Sequence, residues 1–243
     1  MFRIRLDAPF AAFRPYTAGW YRPTAKFLTP SAAYGLLLNV AGIDTRLREE
    51  HDGHDGKQPT TYMRSDLPTL RIAVGAPADT NGRLVLPREQ IVYQQLHNYP
   101  VGASGKDRAS DAHGSKYNIT PVRRELLTGL RALILVRADD DVEDRIRRGL
   151  AGTLQAPRYG LPFLGDNSFL PDRLEPASEN VPVFWYERLA GDLQQPRPHT
   201  TRMTIWIDRA DMSRTLSALF APTTSPAVDP TDTAWVDVGP SIM

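Results

Sequence analysis

Two stretches decide the fold class: Phe2-Arg3-Ile4-Arg5-Leu6-Asp7, and then Thr29-Pro30-Ser31-Ala32-Ala33-Tyr34-Gly35-Leu36-Leu37-Leu38-Asn39-Val40-Ala41-Gly42. In the first, Phe2, Ile4 and Leu6 fall on one side of an extended chain and Arg3, Arg5 and Asp7 on the other. That two-residue period belongs to a half-buried strand. In the second, a hydroxyl suited to capping precedes a proline and an apolar run that stops at glycine. This spells a helix that is apolar nearly all round and therefore packed deep in a core. Between the two, Pro9, Pro15, Pro23 and Pro30 are spaced too closely for regular elements.

Working outward, Leu70, Ile72 and Val74 alternate with Arg71 and Ala73 to give a second strand, and Leu126–Val136 reads as a buried third. Asp139-Asp140-Asp141 caps a helix through Val142, Ile146 and Leu150, with its acids at the positive end of the dipole and Arg145, Arg147 and Arg148 further along. Val181–Leu189 and Met203–Ile207 read as late strands, and Asp211–Phe220 as a short helix. The order fits an α+β domain with a ferredoxin-like, RRM-like β-α-β-β-α-β core. It spans residues 1–220, followed by a proline-rich tail at 221–243 with no period. The connection at about 77–124, between the second and third core strands, is far too long for an ordinary turn and points to a subdomain or a functional arm.

The composition is that of an ordinary globular protein: 243 residues, 41% hydrophobic and 23% charged. With no cysteine, disulfides, thiolate zinc sites and thiol nucleophiles are excluded. The first residues lack the apolar run of a signal peptide, and Leu133-Ile134-Leu135-Val136 is far short of a membrane span, so a cytoplasmic location and no membrane partner are expected.

Formal net charge is +1, which at first sight argues against nucleic acid. The distribution says otherwise. Residues 1–48 hold seven basic and two acidic residues (+5), and residues 83–131 hold eight and four (+4). Residues 49–82, 132–175 and 176–243 carry −3, −2 and −3. Both basic segments contain aromatics: Phe13, Tyr16, Trp20 and Tyr21 in one, Tyr93, His97, Tyr99 and Tyr117 in the other. Cations beside rings suit single-stranded RNA, where guanidinium groups hold phosphates and rings stack unpaired bases. Of the 29 basic residues 25 are Arg, a bias that fits genome composition as well as phosphate recognition.

These stretches resemble a known family. The opening strand, Ala8-Pro9-Phe10-Ala11-Ala12-Phe13-Arg14-Pro15 and the Thr29–Gly42 block look like the start of the fifth CRISPR-associated protein family. So do Gln94-Gln95-Leu96-His97-Asn98-Tyr99-Pro100-Val101-Gly102 and Gly160-Leu161-Pro162-Phe163-Leu164-Gly165-Asp166-Asn167-Ser168-Phe169-Leu170-Pro171-Asp172. The likeness runs over about residues 1–190. It implies a modified ferredoxin-like domain of the RAMP superfamily with a β-hairpin thumb, here the 77–124 insertion. It further implies a non-catalytic subunit of a type I Cascade surveillance complex that holds the 5′ handle of the CRISPR RNA (crRNA). Such a subunit touches the large subunit and the first backbone subunit, and meets target DNA only through the complex. Chemistry and position nominate Arg14, Arg22, Lys26, His97, Tyr99, Lys106, Arg108, Lys116, Arg123 and Arg124 for RNA contact; the family motif does not fix them individually.

Some members cut the precursor RNA themselves, without metal. A base on the 2′-hydroxyl, an acid for the leaving oxygen and a cation on the phosphate would suffice. His113, Lys116 and Tyr117 supply those types within five residues, but the adjacent Lys-His pair of the cutting branch is absent, and the segment reads rather as a polar loop tip. A protein–protein scaffold with no RNA role is the remaining alternative. His51-Asp52-Gly53-His54-Asp55-Gly56 offers two imidazoles and two carboxylates, yet matches no structural zinc spacing and reads as an exposed loop. Gly160-Leu161-Pro162 and Gly165-Asp166-Asn167 lack the strand-glycine-helix context of a nucleotide fingerprint, so their glycines serve close backbone approach, to RNA or to the core helix. No cofactor and no resident metal are expected.

Overall fold

The computed structural model describes residues 2–15, 21–46, 63–100, 117–177, 180–189, 197–209 and 211–242, apart from the side chains of 94–100, 117–121 and 241. In chain order the elements are β1 (Phe2–Ala11), β2 (Tyr21–Arg22), α1 (Pro30–Val40), β3 (Leu70–Pro77), β4 (Arg88–Pro100) and β5 (Tyr117–Arg137). There follow α2 (Asp140–Leu150), β6 (Arg173–Pro176), β7 (Val183–Arg188), β8 (Thr201–Trp206), β9 (Leu216–Pro222) and β10 (Val236–Val238). The protein is α+β. One sheet runs β6-β1-β5-β3-β7-β9-β8, with β10 added to β3, and β2 and β4 added to β5. Its neighbours are antiparallel except β2 and β5.

Both helices start as the sequence dictates. Thr29 Oγ1 accepts the Ala32 N–H at 3.2 Å with Pro30 in the first turn, and Asp139 Oδ1 accepts the Val142 N–H at 2.9 Å. Each such cap stabilises its helix by about 1 kcal/mol. The helices pack on one face of the sheet, where Leu36, Leu37, Val40 and Ile146 meet Ile4, Leu6, Ile72, Val74, Ile134 and Val136. They cross at Gly149, where a Cβ would lie 2.0 Å from the Val40 carbonyl oxygen, so only glycine admits the contact. Arg145 of α2 donates to the carbonyls of Ala41 and Gly42 and satisfies the end of α1.

The other face is covered from the C-terminal side. Ala73, Leu133, Leu135, Val183 and Trp185 pack under Ala234 and Trp235. Ala227 exchanges backbone hydrogen bonds with Val183 and accepts the Trp185 indole N–H at 3.1 Å. Arg3 donates to the Val228 carbonyl at 2.9 Å and to Asp229 at 2.8 Å. The proline-rich stretch after 221 therefore adds a strand and a cover.

Two sequence assignments change. Asp211–Phe220 is not a helix: Asp211 caps only a single 3₁₀ turn, Met212–Arg214, and Leu216–Pro222 then runs as β9 between β7 and β8. The strand that follows α2 and pairs with β1 is Arg173–Pro176, while Val183–Arg188 lies across the sheet beside β3.

The 77–124 connection contains β4, paired with β5 in unbroken register from Arg88↔Thr128 to His97↔Ile119. Strand β5 thus serves both the central sheet and a two-stranded arm. The change of role falls at one place: the β1–β5 ladder skips Pro9 and Gly129, and Gly129 takes φ +68. Before it the residues that both strands give to the helix-side core are even-numbered (Leu6, Ala8; Leu130, Ala132); beyond it Ala11 and Leu127 enter the core, and on β5 the even-numbered Val122, Arg124 and Leu126 are buried too. A residue without an N–H opposite one free to adopt left-handed backbone interrupts the ladder at this point.

Candidate nucleic-acid interface

The two basic segments of the sequence meet at the root of the arm. Strand β2 lies parallel to β5 with Tyr21 opposite Arg123 and Arg22 opposite Arg124, and β4 lies on the other side of β5 with Tyr93 opposite Arg123. The approach to β2 is fixed by backbone capture: the Phe13 N–H donates to Thr24 Oγ1 at 2.8 Å, and the Ala25 N–H donates to the Phe13 carbonyl. Arg14, Arg22, Lys26, Arg123 and Arg124 are thereby gathered into one region.

Alternation along β5 sends Arg123 and Arg124 to opposite faces. Arg124 turns inward. Its side chain is 6% exposed, its Nη2 lies 2.7 Å from Asp166 Oδ2, and its guanidinium lies over the Phe169 ring at 5.0 Å. Arg14 approaches the same carboxylate at 3.6 Å while remaining partly exposed. Burial, and then the like charges of Arg124 and Arg22, lower the Arg14 pKa, with Asp166 opposing them. Arg22 makes no hydrogen bond or ion pair with its side chain among the described residues. Lys26 is exposed and pairs with Glu89 of β4 at 3.2 Å.

On the opposite face, the Arg123 guanidinium sits 5.7 Å from the Tyr21 ring centre and 5.9 Å from that of Tyr93. The Tyr21 hydroxyl donates to Glu125, whose second oxygen accepts the Thr24 N–H at 2.9 Å. That hydrogen bond raises the Tyr21 pKa.

The Gly160–Asp172 segment carries Asp166 to this place. Gly165, at φ +80, touches the end of β1: a Cβ there would lie 1.7 Å from the Ala12 carbonyl oxygen. The Ala12 N–H donates to the Leu164 carbonyl at 3.0 Å, and Asn39 of α1 donates to the carbonyls of Tyr159 and Gly160. Gly165 thus serves close packing against the strand end, whereas Gly160, at φ +75, has open space where a Cβ would go. Asp166 Oδ1 accepts the Ser168 N–H at 2.9 Å and so holds its carboxylate toward the arginines.

The remaining nominated residues fall elsewhere. His97 and Tyr99 lie on β4 and Tyr117 opens β5, but their side chains are outside the described residues. Lys106, Arg108, His113 and Lys116, and the His51–Gly56 stretch, lie wholly outside them. Three contributors escaped the nomination: Tyr21, Tyr93 and Asp166. The first two were visible only as aromatics within basic segments, and Asp166 only as part of a glycine-containing motif. Among the described residues no group of His, Asp and Glu converges to hold a metal ion, and no helix is long and apolar enough to cross a membrane.

A solved chain described as "CRISPR RNA-guided surveillance complex" superimposes with a TM-score of 0.54 at 16% identity, covering 93% of this chain and 91% of that one. Another, "Crystal structure of Cas protein", gives 0.46 at 14% identity, with 93% and 94% covered. At such identity the first likeness is one of fold. No curated protein sequence matches the chain. The family model described as CRISPR-associated protein (Cas_Cas5) matches residues 1–183 of the 243, and the chain belongs to the Cas5 family of CRISPR-associated proteins.

Proposed function

We propose that this chain is a non-catalytic RNA-binding subunit of a type I CRISPR surveillance complex, and that it holds the 5′ handle of the crRNA at the root of the β4–β5 arm. The observation that carries the reading is the convergence there of Arg14, Arg22, Lys26 and Arg123 from two basic segments far apart in sequence. Family membership and a fold shared with a chain of an RNA-guided surveillance complex support it.

On this reading β6-β1-β5-β3 with α1 and α2 is the β-α-β-β-α-β core, and the β4–β5 arm is the thumb inserted between its second and third strands. In RRM-like modules RNA lies across the open sheet face. Here Trp235, Ala234 and Ala227 cover the equivalent face, which favours a path along the arm instead. Arg124, ion-paired with Asp166 and buried, works within the protein, so among the described residues phosphate contact falls to Arg14, Arg22, Lys26 and Arg123, and Lys106, Arg108 and Lys116 join them by their charge alone. The backbone and large subunits are its neighbours in the complex, and target DNA is met through them.

Filter binding of handle-containing RNA to the purified chain at increasing salt tests this. Each single-strand phosphate neutralised contributes about 0.7 to the slope of log affinity against log salt, so four contacts give a slope near −3. No binding, or a response flat in salt, overturns the reading in favour of a protein–protein scaffold. Site-specific cutting of repeat RNA in EDTA that His113→Ala abolishes would overturn the non-catalytic part of it.

A further inference from the structure

We infer that Tyr21, Arg123 and Tyr93 form a stacking platform for one unpaired nucleotide, its base laid on the Tyr93 ring and its phosphate drawn to Arg123. The inference rests on the RNA-binding reading and adds to it a defined subsite. Three strands place these side chains side by side: Tyr21 of β2 and Tyr93 of β4 both stand opposite Arg123 of β5, on the same face. The guanidinium lies between the two rings, 5.7 and 5.9 Å from their centres, so the row is a continuous band of π surface broken by one cation.

Cross-strand pairs of this kind also hold neighbouring strands together. Three features go beyond that need. First, Tyr93 is 77% exposed and Tyr21 39%, so the Tyr93 ring is largely left to solvent and the Tyr21 ring partly so. Second, Tyr21 is already oriented: its hydroxyl donates to Glu125, which Thr24 anchors in turn, and one end of the row loses little freedom on binding. Third, Arg123 has no carboxylate partner among the described residues, and its buried Nε makes no hydrogen bond. The neighbouring Arg124 has Asp166, and Lys26 has Glu89. A guanidinium with no ion pair among the described residues, set between two tyrosine rings, suits a ligand with a flat face and an adjoining negative charge. A nucleotide has both, and a splayed single strand presents them together.

The test uses the full-length chain and single-stranded repeat RNA carrying 2-aminopurine at one position at a time. Stacking on Tyr93 quenches the fluorophore at one or two positions and leaves the others bright. Tyr93→Ala abolishes that quenching and weakens binding by about 5- to 150-fold, the range base–aromatic stacking spans, while Tyr93→Phe keeps both. The salt slope separates the roles: Tyr93→Ala leaves it unchanged and Arg123→Gln lowers it by about 0.7. Because Tyr93 is exposed, the alanine variant is expected to melt with the parent. If the parent binds RNA but no position is quenched, or Tyr93→Ala binds within about twofold of it, well under 1.4 kcal/mol, the platform is wrong and the RNA reading stands. If the parent binds no RNA, both fall.

Discussion

Asp166 Oδ2 lies 2.7 Å from Arg124 Nη2 and ties the Gly160–Asp172 segment to the root of the β4–β5 arm. Arg124 is 6% exposed and Asp166 19%, so removing the acid takes a carboxylate away from a nearly buried cation. Breaking a buried pair from one side costs about 3–5 kcal/mol, and the residual exposure of Asp166 places this case near the lower figure. Asp166→Ala is therefore expected to lower the unfolding free energy by about 3 kcal/mol in urea melts. It would do so even though it makes a basic region more basic. A variant as stable as the parent would mean that the other interactions of Arg124, its contact with the Phe169 ring among them, hold it without the carboxylate.

The same carboxylate sets an acid limit on stability. Burial raises the Asp166 pKa, but the Ser168 N–H and the Arg124 guanidinium outweigh it and hold it below the ordinary value of 3.8. Glu187 behaves likewise: burial raises it, and Thr231, Arg197 and Thr233 draw it below 4.5. A depressed folded-state pKa contributes stability that is complete above the unfolded value and lost as pH falls through the folded one. Melting temperature should thus be level from neutral pH down to about 5 and drop below about 4. The double variant Asp166→Asn, Glu187→Gln should start lower and show a shallower acid limb. An acid limb as steep as the parent's would assign the loss to other carboxylates.

Two glycines with left-handed backbone should differ sharply on substitution. Gly129, φ +68, has open space where a Cβ would go, so Gly129→Ala meets only backbone strain, about 1 kcal/mol. Gly165, φ +80, would place its Cβ 1.7 Å from the Ala12 carbonyl oxygen, and the segment must move before the chain can close. Gly165→Ala should cost well beyond Gly129→Ala in the same melts, and equal losses would contradict the close approach of Gly165 to β1.

The contrast shows what a sequence can express. The caps of α1 and α2 and the alternation of β1 and β3 are local signals, and they held because core packing agrees with them. Residues 211–220 misled because Asp211 caps a turn and Leu216, Leu219 and Phe220 fall at helical spacing. Yet their hydrogen bonds are made across to β7 and β8, which no local pattern encodes. Arg173-Leu174-Glu175-Pro176 offers a single apolar residue, and its strand exists only because the edge of β1 was open. At the candidate site, charge bookkeeping found the arginines. It could not tell Arg123, between two tyrosines, from Arg124, buried on an aspartate, because adjacent residues of a strand face opposite ways and register alone decides which faces what.

Arg3 and Arg22 both belong to the segment that carries +5, and they separate location from charge. Arg3 is nearly buried beneath the C-terminal cover, donating to the Val228 carbonyl and to Asp229, whereas Arg22 stands at the arm root beside Arg14. Hydrogen bonds to a charged group contribute about 1.5–3 kcal/mol, so Arg3→Ala should lower stability by that order and speed hydrogen exchange in residues 227–229. If RNA is held at the root of the arm, Arg3→Ala leaves the salt slope of binding unchanged, while Arg22→Ala lowers it by about 0.7. Equal losses from the two variants would mean that RNA responds to the overall field of the segment and that no discrete site exists at the arm root.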